Sequence, residues 1–294
     1  MAQSGKLAVV VNASGGRASR EGAGLRDTLA DAFAAHGAAV EPQMVEGKAI
    51  EQTIADLRTA EVIAVGGGDG TQGSAAGLLS KSGQVMAVLP LGTLNHLSVD
   101  LGIPADLQKA AGIAVSGAVR TIDLAQVGDQ VFVNNASVGL YTKLVRVRDA
   151  HALPKALATI PAAWTVLLGL KVRRLELQIG DTRQCLETPL LFVGNNPYNI
   201  TGPQLGKRDV LDSGHLGVYA VRHKSALALV GFALRALIGR ADPARDFVDV
   251  SDCAAFTLLG SGAIDVAHDG EVTRMKLPLE FRSLPGALKV KVPA

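Results

Sequence analysis

The stretch Val62-Ile63-Ala64-Val65-Gly66-Gly67-Gly68-Asp69-Gly70-Thr71 constrains this chain most. A short apolar strand enters a glycine turn carrying one carboxylate and one hydroxyl, and Gln72 to Leu79 then reads as a helix. A strand, a glycine turn and a helix N-terminus make an anion site, because unpaired backbone N–H groups and the positive end of the helix dipole point at one spot. Glycine is expected there for positive φ and for close approach of the backbone to a phosphate. A carboxylate such as Asp69 inside a phosphate cradle needs a metal ion or a polar network to balance it. The turn therefore points to Mg²⁺-nucleotide chemistry. It is not a P-loop, since no Gly-Lys-Ser/Thr follows, and its glycine spacing does not fit Gly-x-Gly-x-x-Gly.

Two further apolar strands end in polar turns. Lys6 to Val11 runs into Asn12-Ala13-Ser14-Gly15-Gly16, and Val85 to Leu89 into Pro90-Leu91-Gly92-Thr93-Leu94-Asn95-His96. Helical periodicity over Glu21 to His36, Ala49 to Leu57, Leu94 to Leu101 and Leu107 to Val115, with a weaker strand over Ala39 to Val45, gives the alternation of a doubly wound parallel sheet. Ligands in such sheets sit beyond the carboxyl ends of the strands, where all three turns fall. After about residue 120 the pattern changes. Strands are expected at Arg120 to Val127, Gln130 to Asn135, Leu175 to Ile179, Thr188 to Gly194, Leu216 to Val221, Ala254 to Leu259, Ala263 to Ala267, Val272 to Lys276 and Leu288 to Val292. Helices are expected over Tyr141 to Leu170 and Ser225 to Arg240. Short strands at turn-sized intervals predict an antiparallel sandwich as a second domain, with a ligand cleft beside the first.

Composition narrows the partners. In 294 residues, 48% are apolar, enough for a sizeable core, and a net charge of +2 does not predict a nucleic-acid partner. Cys185 and Cys253 have no metal or redox spacing, which fits a reducing, cytoplasmic setting. Met1 to Lys6 lacks the apolar region of a signal peptide, and no apolar run reaches the roughly 18 to 20 residues of a transmembrane span.

Gly67-Gly68-Asp69-Gly70-Thr71 and Pro90-Leu91-Gly92-Thr93-Leu94-Asn95 resemble the two signature blocks of the diacylglycerol kinase catalytic domain family, bacterial lipid kinases related to sphingosine and ceramide kinases. The resemblance continues through Phe132 to Tyr141, Val193 to Tyr198 and His268-Asp269-Gly270-Glu271-Val272, in family order. It implies an α/β plus β fold: a Rossmann-like nucleotide-binding domain with a parallel sheet over residues 1–122, then a β-sandwich domain over 123–285, with a strand near 286–294 returning to the first. The activity it implies is ATP-dependent phosphorylation of a lipid hydroxyl, diacylglycerol or a related lipid alcohol, by a peripherally membrane-associated enzyme that meets its substrate at the membrane surface. Asn12, Ser14, Gly15, Gly16, Gly66, Gly67, Gly68, Asp69, Gly70, Thr71, Thr93 and Asn95 would hold ATP. Glu271 falls at the family's general base, with Asp69 as its catalytic companion. Asp69 and Asp123 match acidic positions of an Asp–water–Mg²⁺ network.

The chain departs from the pattern in places. His96 stands where many members have aspartate, and is expected to be a structural histidine. Asp212-Ser213-Gly214 replaces an Asp-Gly pair that holds a structural metal in some members, so no such metal is expected. Asn134, Asn135, Asn195 and Asn196 read first as amides satisfying backbone at bends. Leu227 to Arg240, with Arg235 and Arg240, and Ile160 to Leu170, with Trp164, Lys171, Arg173 and Arg174, are alternative membrane-facing helices, and core packing is the simpler reading of the first. An NAD kinase shares the Gly-Gly-Asp-Gly turn but is expected to carry a different second block. A catalytically inactive nucleotide- or lipid-binding module and a homodimer both stay open.

Overall fold

The computed structural model describes residues 7–14, 16–22, 24–140, 142, 171–199, 206–237, 240 and 242–294. The expected helix over Tyr141 to Leu170 and the Met1 to Lys6 segment lie outside the described residues, Thr142 excepted. The chain divides into two units, one of Met1–Leu124, Val131–Asn134 and Pro285–Ala294, the other of Ala125–Gln130 and Asn135–Leu284.

In the first unit, β1 (Leu7–Asn12), β2 (Gln43–Val45), β3 (Val62–Gly67) and β4 (Val85–Pro90) form parallel ladders in the order β2-β1-β3-β4. Their apolar runs are buried because both faces of a parallel sheet are covered: Val9 to Val11, Ile63 to Val65 and Met86 to Leu89 are all buried. Helices α1 (Gly16–Glu21), α2 (Gly24–Ala34), α3 (Ile50–Asp56), α4 (Asp69–Ser82), α5 (His96–Asp100) and α6 (Leu107–Ser116) connect the strands. The helix expected over Glu21 to His36 is α2, which starts at Gly24; before it stands the short α1, closed by Gly22 with a left-handed φ of 59° and its N–H on Ala18 O. Strand β5 (Ala118–Val127) follows α6, and β6 (Gln130–Phe132) pairs with it.

The last strand, β16 (Leu279–Val292), is far longer than the Leu288 to Val292 expected. Its end runs parallel to β4, with Lys289 opposite Val85 and Val290 opposite Met86. The buried Asp123 carboxylate accepts the Gly286 N–H at 2.8 Å.

The second unit has two antiparallel ladders. One runs β12-β11-β10-β7-β14-β15 through β7 (Asn135–Gly139), β10 (Leu190–Asn195), β11 (Leu216–Val221), β12 (Phe247–Cys253), β14 (Ala263–His268) and β15 (Glu271–Lys276). The other joins the first part of β16 to β13 (Ala255–Leu259), β8 (Arg173–Ile179) and β9 (Thr182–Thr188). Period-two alternation sorts the first ladder. Ala136, Val138, Leu191, Val193, Val218, Ala220 and Val266 lie on one buried face. In the second ladder Phe256 stacks on Phe281 at 4.7 Å.

Two strand expectations need correction. The strand read over Gln130 to Asn135 ends at Phe132, and Asn135 begins β7, because the ladder partner changes from β5 to β10. The strand read over Thr188 to Gly194 is the end of β9 and most of β10, divided at Pro189, which lacks a ladder N–H.

Helices α7 (Ala226–Leu237) and α8 (Pro243–Asp246) precede β12. Fully buried Asp246 ties them together, accepting from His223, Arg235 and the Asp242 N–H. Burial pushes its carboxyl up, but those hydrogen bonds outweigh burial and hold it below the ordinary value.

The β14–β15 hairpin turns on Asp269 and Gly270, with φ of 43° and 87°. His268, 7% exposed, contacts Thr273 Oγ1 at 3.0 Å, and burial lowers its imidazole pKa. The unfolded chain takes a proton there near pH 6.5, the folded chain only at lower pH. The stability supplied by neutral His268 is thus complete above about pH 6.5 and lost as pH falls from there to the folded pKa. The urea midpoint is expected to drop more steeply between about pH 7 and 5.5 in the wild type than in His268→Gln; parallel pH profiles would contradict this.

Candidate active site

Parallel pairing of β1, β3 and β4 brings three polar turns to the same end of the first unit's sheet. Asn12 Nδ2 donates to Thr71 Oγ1 at 2.9 Å, so the turn after β1 is tied to the first turn of α4. The Ser14 N–H donates to Asn12 Oδ1 at 2.9 Å, which curls the loop over its own amide. The Arg17 N–H bonds to Leu91 O at 2.8 Å, joining the first and third turns.

Helix α4 begins at Asp69 with Gly68 as its cap and no side-chain cap bond. The first helical bond runs from Gln72 N–H to Gly68 O at 3.0 Å, leaving the N–H groups of Asp69, Gly70 and Thr71 without an intrahelical acceptor. They are the donors a phosphate would meet. The Asp69 carboxylate does not turn back onto them; its Oδ1 accepts the His96 N–H at 3.0 Å, binding the second turn to the third. Asn95 shapes that third turn with both ends of its amide, accepting from Gly92 N–H at 2.8 Å and donating to Gly92 O at 2.9 Å. It does so in a left-handed conformation, φ 53°. Thr93 is exposed beside it.

Of the two reasons expected for the glycines of the central turn, positive φ does not hold. None of Gly66, Gly67, Gly68 and Gly70 has positive φ. Space decides instead: a Cβ on Gly67 would lie 2.6 Å from Thr71 Cβ, and one on Gly92 would lie 2.6 Å from Gly68 Cα. The two loops touch backbone to backbone.

Asp123 lies in β5 with its Oδ1 on the Gly286 N–H. No cluster of three His, Cys, Asp or Glu side chains suited to a metal occurs among the described residues. Mg²⁺ on a nucleotide is commonly held by one or two carboxylates together with phosphate oxygens, so Asp69 remains chemically fit for that part. Gly15 lies outside the described residues, and Gly16 opens α1.

Within the second unit, the other motif residues gather at one end of the β7, β10 and β14 ladder, where Asn135 pairs with Gly194 and Ala136 with His268. Asp269 N–H donates to Asn135 O at 3.0 Å and the Asn135 N–H to Asp269 Oδ1 at 3.3 Å. Asn196, φ 71°, accepts from both the N–H and the hydroxyl of Ser213 at 2.8 and 2.6 Å. Glu271 follows the same hairpin, exposed at the start of β15. Buried Arg208, donating to Asn195 O at 3.0 Å, was not singled out in the sequence. It stands in a polar loop with no periodicity to mark it. Asp269 had a readable signal, the Asp-Gly hairpin turn, but its grip on Asn135 spans 134 positions.

Residues 6–127 match the sequence profile described as the diacylglycerol kinase catalytic domain. A protein of Chromohalobacter salexigens named "Probable lipid kinase YegS-like" is 27% identical over 262 residues, covering 84% of this chain and 81% of its own. "Probable lipid kinase YegS" of Salmonella arizonae is 28% identical over 242 residues, covering 79% and 78%. A crystal structure described as a diacylglycerol kinase of Bacillus anthracis strain Sterne aligns with a TM-score of 0.71 at 18% identity, covering 99% of this chain and 98% of its own, which shows a common fold. The signature turns at the carboxyl ends of β3 and β4 lie inside the region that matches the diacylglycerol kinase catalytic domain family.

Proposed function

We propose that this protein transfers the γ-phosphate of ATP to the hydroxyl of a lipid alcohol, of which diacylglycerol is the first to test. The observation that carries the reading is the cradle at the start of α4, where the N–H groups of Asp69, Gly70 and Thr71 lack intrahelical acceptors and the Asn12–Thr71 bond and the Gly92–Gly68 contact hold the neighbouring turns together. The names of the relatives, lipid kinases, supply the acceptor class. The acceptor's apolar part tolerates variation, since one methylene alters discrimination by only about 1–3 kcal/mol.

Phosphoryl transfer needs positioning, neutralisation of phosphate charge and an acceptor for the hydroxyl proton. Gly66 to Thr71 with Asn12, Ser14 and Thr93 serve the first. Mg²⁺, held through water by Asp69 and Asp123, would supply the second. The exposed Glu271 carboxylate has no hydrogen-bond or ion-pair partner among the described residues, and as general base it takes the hydroxyl proton. Reading the protein as a peripheral membrane enzyme follows from its acceptor; among the described residues no helix is long and apolar enough to cross a membrane.

The test is transfer of label from γ-labelled ATP to a panel of lipid alcohols. Formation of labelled NADP from NAD, with no lipid product, would replace this reading with an NAD kinase. ATP binding without transfer to any acceptor would replace it with a binding module. Glu271→Gln is expected to keep ATP affinity while transfer falls by roughly 10² to 10⁴; wild-type turnover would remove Glu271 from the chemistry. Gly92→Ala drives a methyl into the Gly68 backbone and is expected to weaken ATP binding by about tenfold or more in calorimetry. Unchanged affinity would show that the contact between the loops does not shape the nucleotide site.

A further inference from the structure

Helix α7 carries an outward face that a water-exposed helix does not normally have. At 100° per residue, Leu227 and Leu234 fall on one line, with Val230 and Gly231 on either side, opposite Leu229. Leu229 is 6% exposed, whereas Leu227 is 83% and Leu234 59% exposed. The helix's one charged side chain, Arg235, is turned to buried Asp246, and Phe232 packs edge-on against Phe247 at 5.4 Å. The inner side is thus anchored and the outer stripe has no charge.

The two ends of α7 are basic. Arg222 and Lys224 precede it and Arg240 and Arg245 follow, all exposed; the Arg222 guanidinium donates to Phe247 O and Lys224 pairs with Glu187 at 2.6 Å, so Arg240 and Arg245 carry most of the charge open to a partner, against exposed Asp242 in the same span. An apolar stripe flanked by cations matches the surface of an anionic bilayer, where leucines enter the acyl boundary and arginine and lysine stay with the headgroups. A protein partner of ordinary surface would leave Arg240 and Arg245 without that match.

We infer that α7 is the membrane-docking element, lying in the plane of an anionic bilayer with Leu227 and Leu234 inserted. This rests on the lipid-kinase reading only for its purpose, delivering the enzyme to an acceptor that does not leave the membrane; the docking itself is measured without catalysis.

The full chain is sedimented with vesicles of phosphatidylcholine containing phosphatidylglycerol, and with phosphatidylcholine alone. The wild type is expected to bind the anionic vesicles, and the double variant Leu227→Glu/Leu234→Glu to bind them roughly tenfold or more weakly, with circular dichroism and ATP binding unchanged. Leu227→Ser alone is expected to give an intermediate loss, and Arg240→Glu to reduce the preference for anionic lipid. Transfer to diacylglycerol in vesicles is expected to fall with binding, while transfer to a short-chain diacylglycerol dispersed in water stays at the wild-type rate. No vesicle binding by the wild type, or equal binding by the double variant, overturns the inference. So does a wild-type dimer that the double substitution converts to monomer without altering vesicle binding, since the stripe would then face a second copy. Absence of transfer to every lipid, with vesicle binding lost in the double variant, would sink the kinase reading and leave the docking surface standing.

Discussion

The approach of Gly92 to Gly68, backbone against backbone, is the constraint on which the first unit's polar end depends. It exists because β3 and β4 are adjacent and parallel, with Gly67 opposite Pro90, so that their following turns leave the sheet side by side. At that spacing a side chain on Gly92 cannot be accommodated without moving a main chain. The Asp69 carboxylate on the His96 N–H and the Asn12 amide on the Thr71 hydroxyl then lock three separate turns into one surface. The open N–H groups of α4 face a region whose walls are set by hydrogen bonds.

Backbone strain is stored in the same kind of place. The described non-glycine residues with positive φ are Asn95, Asn196 and Asp269, and each sits in a polar motif turn. A left-handed conformation costs roughly 1–2 kcal/mol per residue. Each side chain has a local return for it: Asn95 closes on Gly92, Asn196 takes both donors of Ser213, and Asp269 receives the Asn135 N–H. Strain that is over-determined by hydrogen bonds holds a turn in one shape, which positioning of a reacting group requires.

The second unit spends its sequence differently. Its six-stranded ladder buries aliphatic residues on one face and places Ser137, Phe192 and Tyr219 in register on the other. The Tyr219 ring lies near those of Phe192 and Phe247, and its hydroxyl accepts the Tyr198 N–H at 2.9 Å, so a polar handle fixes an apolar cluster. Helix α7 packs on the end of that cluster through Phe232, which leaves its leucine stripe outward.

Short-range pattern was enough to read β1, β3, β4, α4 and α6, because an apolar run, its period and a glycine turn are properties of neighbouring residues. The signature turns were legible for the same reason. What lay beyond the sequence were the outcomes of distant pairing. The single strand read over Gln130 to Asn135 broke at Phe132 because two different ladders claim its ends, and β16 extended back to Leu279 because β13 offered a partner for Leu279 and Phe281. The glycines were readable as necessary, but their cause was space rather than positive φ, which only the neighbouring loop reveals. Likewise the bond between Asn12 and Thr71 spans 59 positions and that between Asp123 and Gly286 spans 163. The amino-acid order set which segments could be strand, turn or helix, through local sterics and hydrophobic period. Tertiary structure alone decided which turns meet, which carboxylate is spent on a backbone N–H, and which leucines stay in water, because those depend on packing among groups remote in the chain.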